Sequence, residues 1–152
     1  MVSIGKITDK FGQLDEFLMI LRGMQSTPLE AFLRDKILIG SAKYYLQVSI
    51  ECCLDIANHI IAAETFRAPK DYADSFKVLE EHAILNGDQG TKLRQTAEFR
   101  NRLVHLYGEI DDAYLYEFIS QDLQDILDFK KVIAAKFLTP PEASSDRNRE
   151  RR

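Results

Sequence analysis

The chain has 152 residues, 45% of them hydrophobic, with 7 glycines and 4 prolines, which suits one packed domain and excludes a disordered chain. Its formal net charge of −4 excludes a general nucleic-acid coat, so any RNA contact must come from a local basic patch. The two cysteines, Cys52 and Cys53, are neighbours and cannot bridge distant parts of a fold; they read as reduced packing residues of a cytoplasmic protein.

Taken in chain order, Ile7, Phe11, Leu14, Leu18 and Leu21 repeat at helical spacing, and Gly23 is placed to end that first helix. Residues 1–10 lack a signal-peptide pattern, and no run of ~18 apolar residues is evident, so no membrane span is expected. Thr27-Pro28-Leu29-Glu30 predicts a helix start, with threonine as N-cap, proline first and glutamate third. The longest helix is predicted over Lys36 to about Glu64. There Ile39, Leu46, Cys53 and Ile60 recur every seven residues, and Ala42, Ser49, Ile56 and Ala63 fill the second seam position of a bundle.

A loop with Arg67, Pro69 and Lys70 leads to a shorter helix predicted from Tyr72 to Leu85, and Asn86-Gly87-Asp88 reads as a turn. A further helix is expected from Gln89 to Leu106, stopping at Gly108. Asp111 or Asp112 then caps a last helix carrying Leu115, Ile119, Leu123, Ile126, Ile133 and Phe137 on one face. The fold class is therefore all-α, a bundle of four to five main helices over residues 1–139. Pro140-Pro141 ends it, and a polar, arginine-rich tail over 140–152 is expected to be flexible.

The chemistry concentrates in Phe99-Arg100-Asn101-Arg102-Leu103-Val104-His105-Leu106-Tyr107. Projected at about 100° per residue, Arg100 falls inside an apolar arc of Leu93, Phe99, Leu103, Val104, Leu106 and Tyr107. A guanidinium there is costly unless paired or bound to an anion. Asn101 and His105, four residues apart, share a face beside it. The bland alternatives are a salt bridge from Arg100 to Glu51 or Asp55 and a helix-terminal role for His105. Glu51, Asp55 and His59 follow one another at one-turn intervals on the long helix and are candidates to line a site, although a hydrogen-bonded structural histidine is the simpler reading of His59. His82, beside Glu80 and Glu81, reads as exposed. No glycine-rich phosphate loop, no His-Glu-x-x-His and no paired Cys-x-x-Cys is present, so no cofactor-binding or metal residue is nominated.

Arg100-x4-His105-x-Tyr107, with Asn101 after the arginine, resembles the signature of the HEPN superfamily. More narrowly, Phe-Arg-Asn-x-Leu-Val-His-x-Tyr resembles the HepT-type toxins at every fixed position. The order of helices, including the Ala57-Asn58-His59-Ile60-Ile61 stretch, is similar to that family across about residues 7–138. The resemblance implies an antiparallel, up-and-down bundle that dimerises with its motif helices facing a shared cleft. It further implies endoribonuclease activity without a metal or other cofactor. A partner is also implied, an MntA-type minimal nucleotidyltransferase antitoxin that transfers AMP from ATP to the motif tyrosine, here Tyr107. Some HEPN-like chains are instead non-catalytic nucleotide-binding or interaction modules, and a purely structural dimer partner is a third reading.

On the catalytic reading, His105 is the general base or acid, since histidine is the side chain whose ordinary pKa lies near neutrality. Arg100 clamps the phosphate, and Asn101 supports either of them. Arg100 and His105 lie about 140° apart on a helix, so a second subunit is expected to complete the site.

Overall fold

The structure, a computed structural model, describes residues 1–105 and 110–138. The expected tail 140–152 and the motif residue Tyr107 lie outside the described residues. Among those described there are no strands. The helices are α1 (Ile4–Met24), α2 (Leu29–Arg34), α3 (Lys36–Ala63), α4 (Tyr72–Glu81), α5 (Gly87–Val104), α6 (Asp112–Glu117) and α7 (Leu123–Ile133). A π-wound turn at Phe118–Asp122 joins α6 to α7, and a second at Ala134–Leu138 follows α7.

The all-α expectation holds, and cross-contacts set the helix directions. Lys10 pairs with Asp55 while Phe17 packs on Tyr45, so α1 runs antiparallel to α3. Glu80 meets Arg94 and Tyr72 meets Arg100, which makes α4 and α5 antiparallel. Phe99 stacks on Phe118 just before α7, opposing α5 and α7. The core follows the seams read from sequence: Ile39, Leu46, Cys53 and Ile60 with Ala42, Ser49 and Ile56 are all buried, as are Ile7, Phe11, Leu14, Leu18 and Leu21, while Ala63, the last residue of α3, is only partly buried. Each large side chain so buried is worth about 1.5–3 kcal/mol. The cysteines are free and buried, and burial pushes both thiols up.

Several boundaries differ from expectation, each for a local reason. Gly23 does not stop α1, which runs on to Met24 because Met24 is itself buried in the core. Thr27 does not cap α2. Pro28 takes that position without a side-chain cap, and the Thr27 carbonyl instead accepts the Tyr116 hydroxyl at 2.6 Å. α4 ends at Glu81 rather than Leu85: Ala83 adopts a positive φ of 57°, and the chain folds Ile84 and Leu85 back into the core. Asn86 is no free turn but the N-cap of α5, in a reciprocal capping box with Gln89.

The last helix is continuous but wound more loosely at Phe118–Asp122. An α-helix drifts by about 40° every four residues. The wider turn takes up that drift and keeps Leu115, Ile119 and Leu123 on one buried line. The expectation about apolar runs also needs correction. α3 is long and apolar enough, by length and composition alone, to cross a membrane, but 56% of its most apolar window is buried inside the bundle.

Candidate active site

Phe99 and Arg100 are adjacent, and a helix turns about 100° between them. Phe99 is buried against α6 and the turn after it, with its ring stacked on Phe118 at 4.4 Å and tilted against Tyr114 at 5.4 Å. That anchor rolls Arg100 toward α3 and the start of α4. Arg100 continues the buried line of Leu93 and Ala97, at the point where the line leaves the core. The arginine therefore lies at a three-helix junction rather than inside an apolar stripe.

At this junction Arg100 is partly buried, with its side chain 16% exposed. Its Nε and Nη2 both donate to Glu51 Oε1, at 3.2 and 2.6 Å. Its guanidinium lies 4.8 Å from the Tyr72 ring centroid, a cation–π contact. Nη1 turns to Asn101 Oδ1 at a long 3.4 Å. Glu51 is held in turn by Gln47, whose amide donates to the same Oε1 at 3.2 Å. The salt-bridge alternative for Arg100 is thus realised, and with Glu51 rather than Asp55. The pair is not sealed from solvent, since a third of the Glu51 side chain is exposed. One edge of the guanidinium faces an amide instead of a carboxylate.

His105 is the C-cap of α5, with extended backbone (φ −76°, ψ 119°), and it is exposed. The motif helix thus ends before the histidine instead of running to Leu106. Among the described residues no hydrogen bond joins His105 to Arg100 or Asn101. One protomer brings Arg100, Asn101 and Glu51 together and leaves His105 at the rim.

Asp55 and His59 are not part of this cluster. Each step of four residues along α3 rotates by about 40°, which carries them round to α1. There Asp55 pairs with Lys10 at 2.9 Å, and His59 Nε2 accepts the Ser3 backbone N–H at 2.9 Å. Burial, then Lys6 and the chain's amino terminus, lower the His59 pKa from its ordinary value. Both residues line a groove of about 560 Å³ with Lys6 and Gln13, away from Arg100. The simpler reading of His59 as a hydrogen-bonded structural histidine is the one found. His82 is exposed, but its ring stacks flat on Phe66 at 3.5 Å.

Two residues near the Arg100 cluster escaped sequence reasoning. Tyr72, the first residue of α4, is stacked by Arg100 yet half exposed. Asn58 accepts the Ser75 hydroxyl at 3.1 Å and donates to the Leu54 carbonyl. Tyr72 carried no signal beyond a position at a helix start, and Asn58 appeared only within a family stretch. Among the described residues no group of three or more His, Cys, Asp or Glu is assembled that would hold a metal.

An all-helical bundle with this arginine–asparagine pair one turn before a helix-ending histidine defines a HEPN-type protein. The chain belongs to the ribonuclease HepT-like family, whose pattern matches residues 8–133. The mRNA nuclease HepT of Shewanella oneidensis is 30% identical over 105 residues, spanning 69% of this chain and 79% of that protein. The tri-AMPylated HEPN toxin of Shewanella oneidensis, in complex with an MNT antitoxin, superposes with a TM-score of 0.81 at 26% identity, covering 88% of this chain and 99% of that one. A toxin–antitoxin crystal structure with AMP-PNP gives a TM-score of 0.80 at 25% identity, covering 86% and 98%.

Proposed function

We propose that this chain is the toxin of a toxin–antitoxin pair, an endoribonuclease of the cytoplasm that cuts RNA without a metal and is silenced by AMPylation of Tyr107. The observation that carries the reading is the mostly buried but not sealed guanidinium of Arg100, tethered by Glu51 and flanked by Asn101, one turn before the exposed His105. A fixed cation that is neither core-buried nor free is what a phosphate clamp requires. Glu51 holds the Nε–Nη2 edge and pre-sets the guanidinium plane, and the Nη1 side is left for a phosphoryl oxygen.

Cleavage needs a base for the 2′-hydroxyl and an acid for the leaving 5′-oxygen. Arg100 neutralises charge that develops on the phosphoryl oxygens. The exposed imidazole of His105 serves as base or acid, and Asn101 orients the phosphate beside Arg100. Since His105 makes no hydrogen bond to Arg100 within one protomer, a homodimer with two facing motif ends supplies the second imidazole. The partner is an MntA-type nucleotidyltransferase that uses ATP as AMP donor. AMP on Tyr107, two residues past His105, adds bulk and negative charge where the RNA phosphate would bind.

A second reading has one observation in its favour. Glu51 already neutralises Arg100, and the chain is acidic overall, which suits a non-catalytic module that holds a nucleotide. RNA cleavage by wild type, Arg100→Ala and His105→Ala, run with a chelator, separates the two. The nuclease reading requires cutting that survives chelation and is lost in both variants. Nucleotide binding with no RNA cleavage by the wild type leaves the module reading.

A further inference from the structure

Beside Arg100 a separate cavity of about 320 Å³ opens, lined by Asn58, Pro69, Asp71, Tyr72, Ser75 and Asn101. Its volume falls within the range of roughly 300–1,000 Å³ typical of ligand pockets. Three elements build it: α3 gives Asn58, α5 gives Asn101, and the start of α4 with the loop before it gives the rest. The loop is braced from outside. Arg67 forks onto Asp74 and Glu81 with four hydrogen bonds of 2.7–2.9 Å, and the Lys70 backbone N–H donates to Asp74. The pocket wall is thus fixed by ion pairs that do not face the pocket.

The polar groups inside divide into used and unused. The Ser75 hydroxyl donates to Asn58 Oδ1, and the Asn58 amide nitrogen donates to the Leu54 carbonyl. Asp71 uses one carboxylate oxygen to cap α4 at the Asp74 N–H. Among the described residues the second Asp71 oxygen, the Asn101 amide nitrogen and the Tyr72 hydroxyl have no partner. The lining therefore offers an aromatic ring, one anionic acceptor and one amide donor. Asp71 carries the only formal charge among the lining residues, so a phosphate is repelled. A flat heterocycle with an exocyclic amine is welcomed, because it can stack on the aromatic ring and donate to the carboxylate.

The geometry points to a specificity pocket for one nucleobase of the RNA, next to the phosphate held by Arg100 and selective for bases that carry an amino group. Tyr72 is the stacking platform, Asp71 the acceptor for the amine, and Asn101 the donor to a ring nitrogen or carbonyl. Cytosine, adenine and guanine each present an amine, and a carboxylate accepting from cytosine N4 is a familiar pairing. Uracil presents only its N3–H, flanked by two carbonyl oxygens that would face the Asp71 carboxylate. The inference rests on the ribonuclease reading for its biological meaning, but the pocket's base preference can be measured without cleavage.

The test pairs a binding measurement with a cleavage measurement on the full chain. Titration with CMP and with UMP, which carry the same phosphate, is expected to show CMP binding about tenfold tighter. Asp71→Asn retains a good helix cap and is expected to bring the two together. Tyr72→Ala is expected to weaken both by roughly 5- to 100-fold, and Tyr72→Phe to restore most of that. In a randomised RNA library, wild type should cut sites with A, C or G at one position beside the scissile bond, and Asp71→Asn should also accept U there. Equal CMP and UMP binding in the wild type, or cleavage whose base preference is untouched by Asp71→Asn and Tyr72→Ala, overturns the pocket while leaving the nuclease intact. A CMP preference that depends on Asp71 in a protein that never cuts RNA upholds the pocket and removes the nuclease.

Discussion

Arg100 gives two of its donors, Nε and Nη2, to a single oxygen of Glu51, 49 residues away. The pair is a tether and not a seal, because a third of the Glu51 side chain and a sixth of the Arg100 side chain stay exposed. Removing the cation should therefore cost more activity than removing the tether. Arg100→Ala is expected to lower RNA cleavage by roughly 10²–10³-fold, as for loss of a transition-state charge stabiliser. Glu51→Gln keeps the shape and one acceptor; it should lower kcat by about tenfold with little rise in KM, and cost about 1 kcal/mol of stability. Single-turnover kinetics with urea unfolding of both variants checks this. A Glu51→Gln variant as inactive as Arg100→Ala would mean that Glu51 acts chemically.

His105 ends α5 and is exposed. His105→Gln should leave unfolding free energy within about 0.5 kcal/mol of wild type while reducing cleavage by roughly 10²–10⁴-fold. Equal losses of stability and activity would mark it as a structural helix end.

Tyr107 is tested by intact mass. With the partner nucleotidyltransferase and ATP, the wild-type chain should gain AMP units and Tyr107→Phe should gain none at that position. An unchanged mass gain in the variant moves the modification to another residue.

His59 links pH to stability through the start of α1. Its Nε2 accepts the Ser3 N–H and so must be unprotonated in the fold. The folded pKa lies below the ordinary value of 6.5, chiefly through burial. As pH falls, the unfolded chain takes up the proton first. The stabilisation is fully present above about 6.5 and is lost as pH falls through the folded value. Thermal melts of wild type and His59→Gln at pH 7.5 and 5.5 should show a larger drop in Tm for the wild type. Equal drops would show that the Ser3–His59 bond does not couple to folding.

Much of this architecture was legible in the chain. The seven-residue recurrence through Ile39, Leu46, Cys53 and Ile60 located α3 almost to the residue, because a long buried seam outweighs local propensity. Short-range punctuation was less dependable. Thr27 has the side chain of a helix cap, but Tyr116, 89 residues on, holds its carbonyl. Asn86-Gly87-Asp88 looked like a turn, while the Asn86 side chain in fact starts α5.

At the site, sequence alone placed a cation, an amide and an imidazole at one helix end, and required that Arg100 be paired or bound to an anion, with Glu51 and Asp55 as its acidic candidates. It offered Glu51 and Asp55 equally, since both lie one turn apart on the same helix. Only the tertiary structure chose between them. The 40° drift per four residues leaves Glu51 facing α5 and turns Asp55 and His59 toward α1, where Lys10 and Ser3 claim them. It also set the Tyr72 ring against Arg100 across a gap of 28 residues, a contact that no periodicity encodes because the loop before α4 determines where that helix begins.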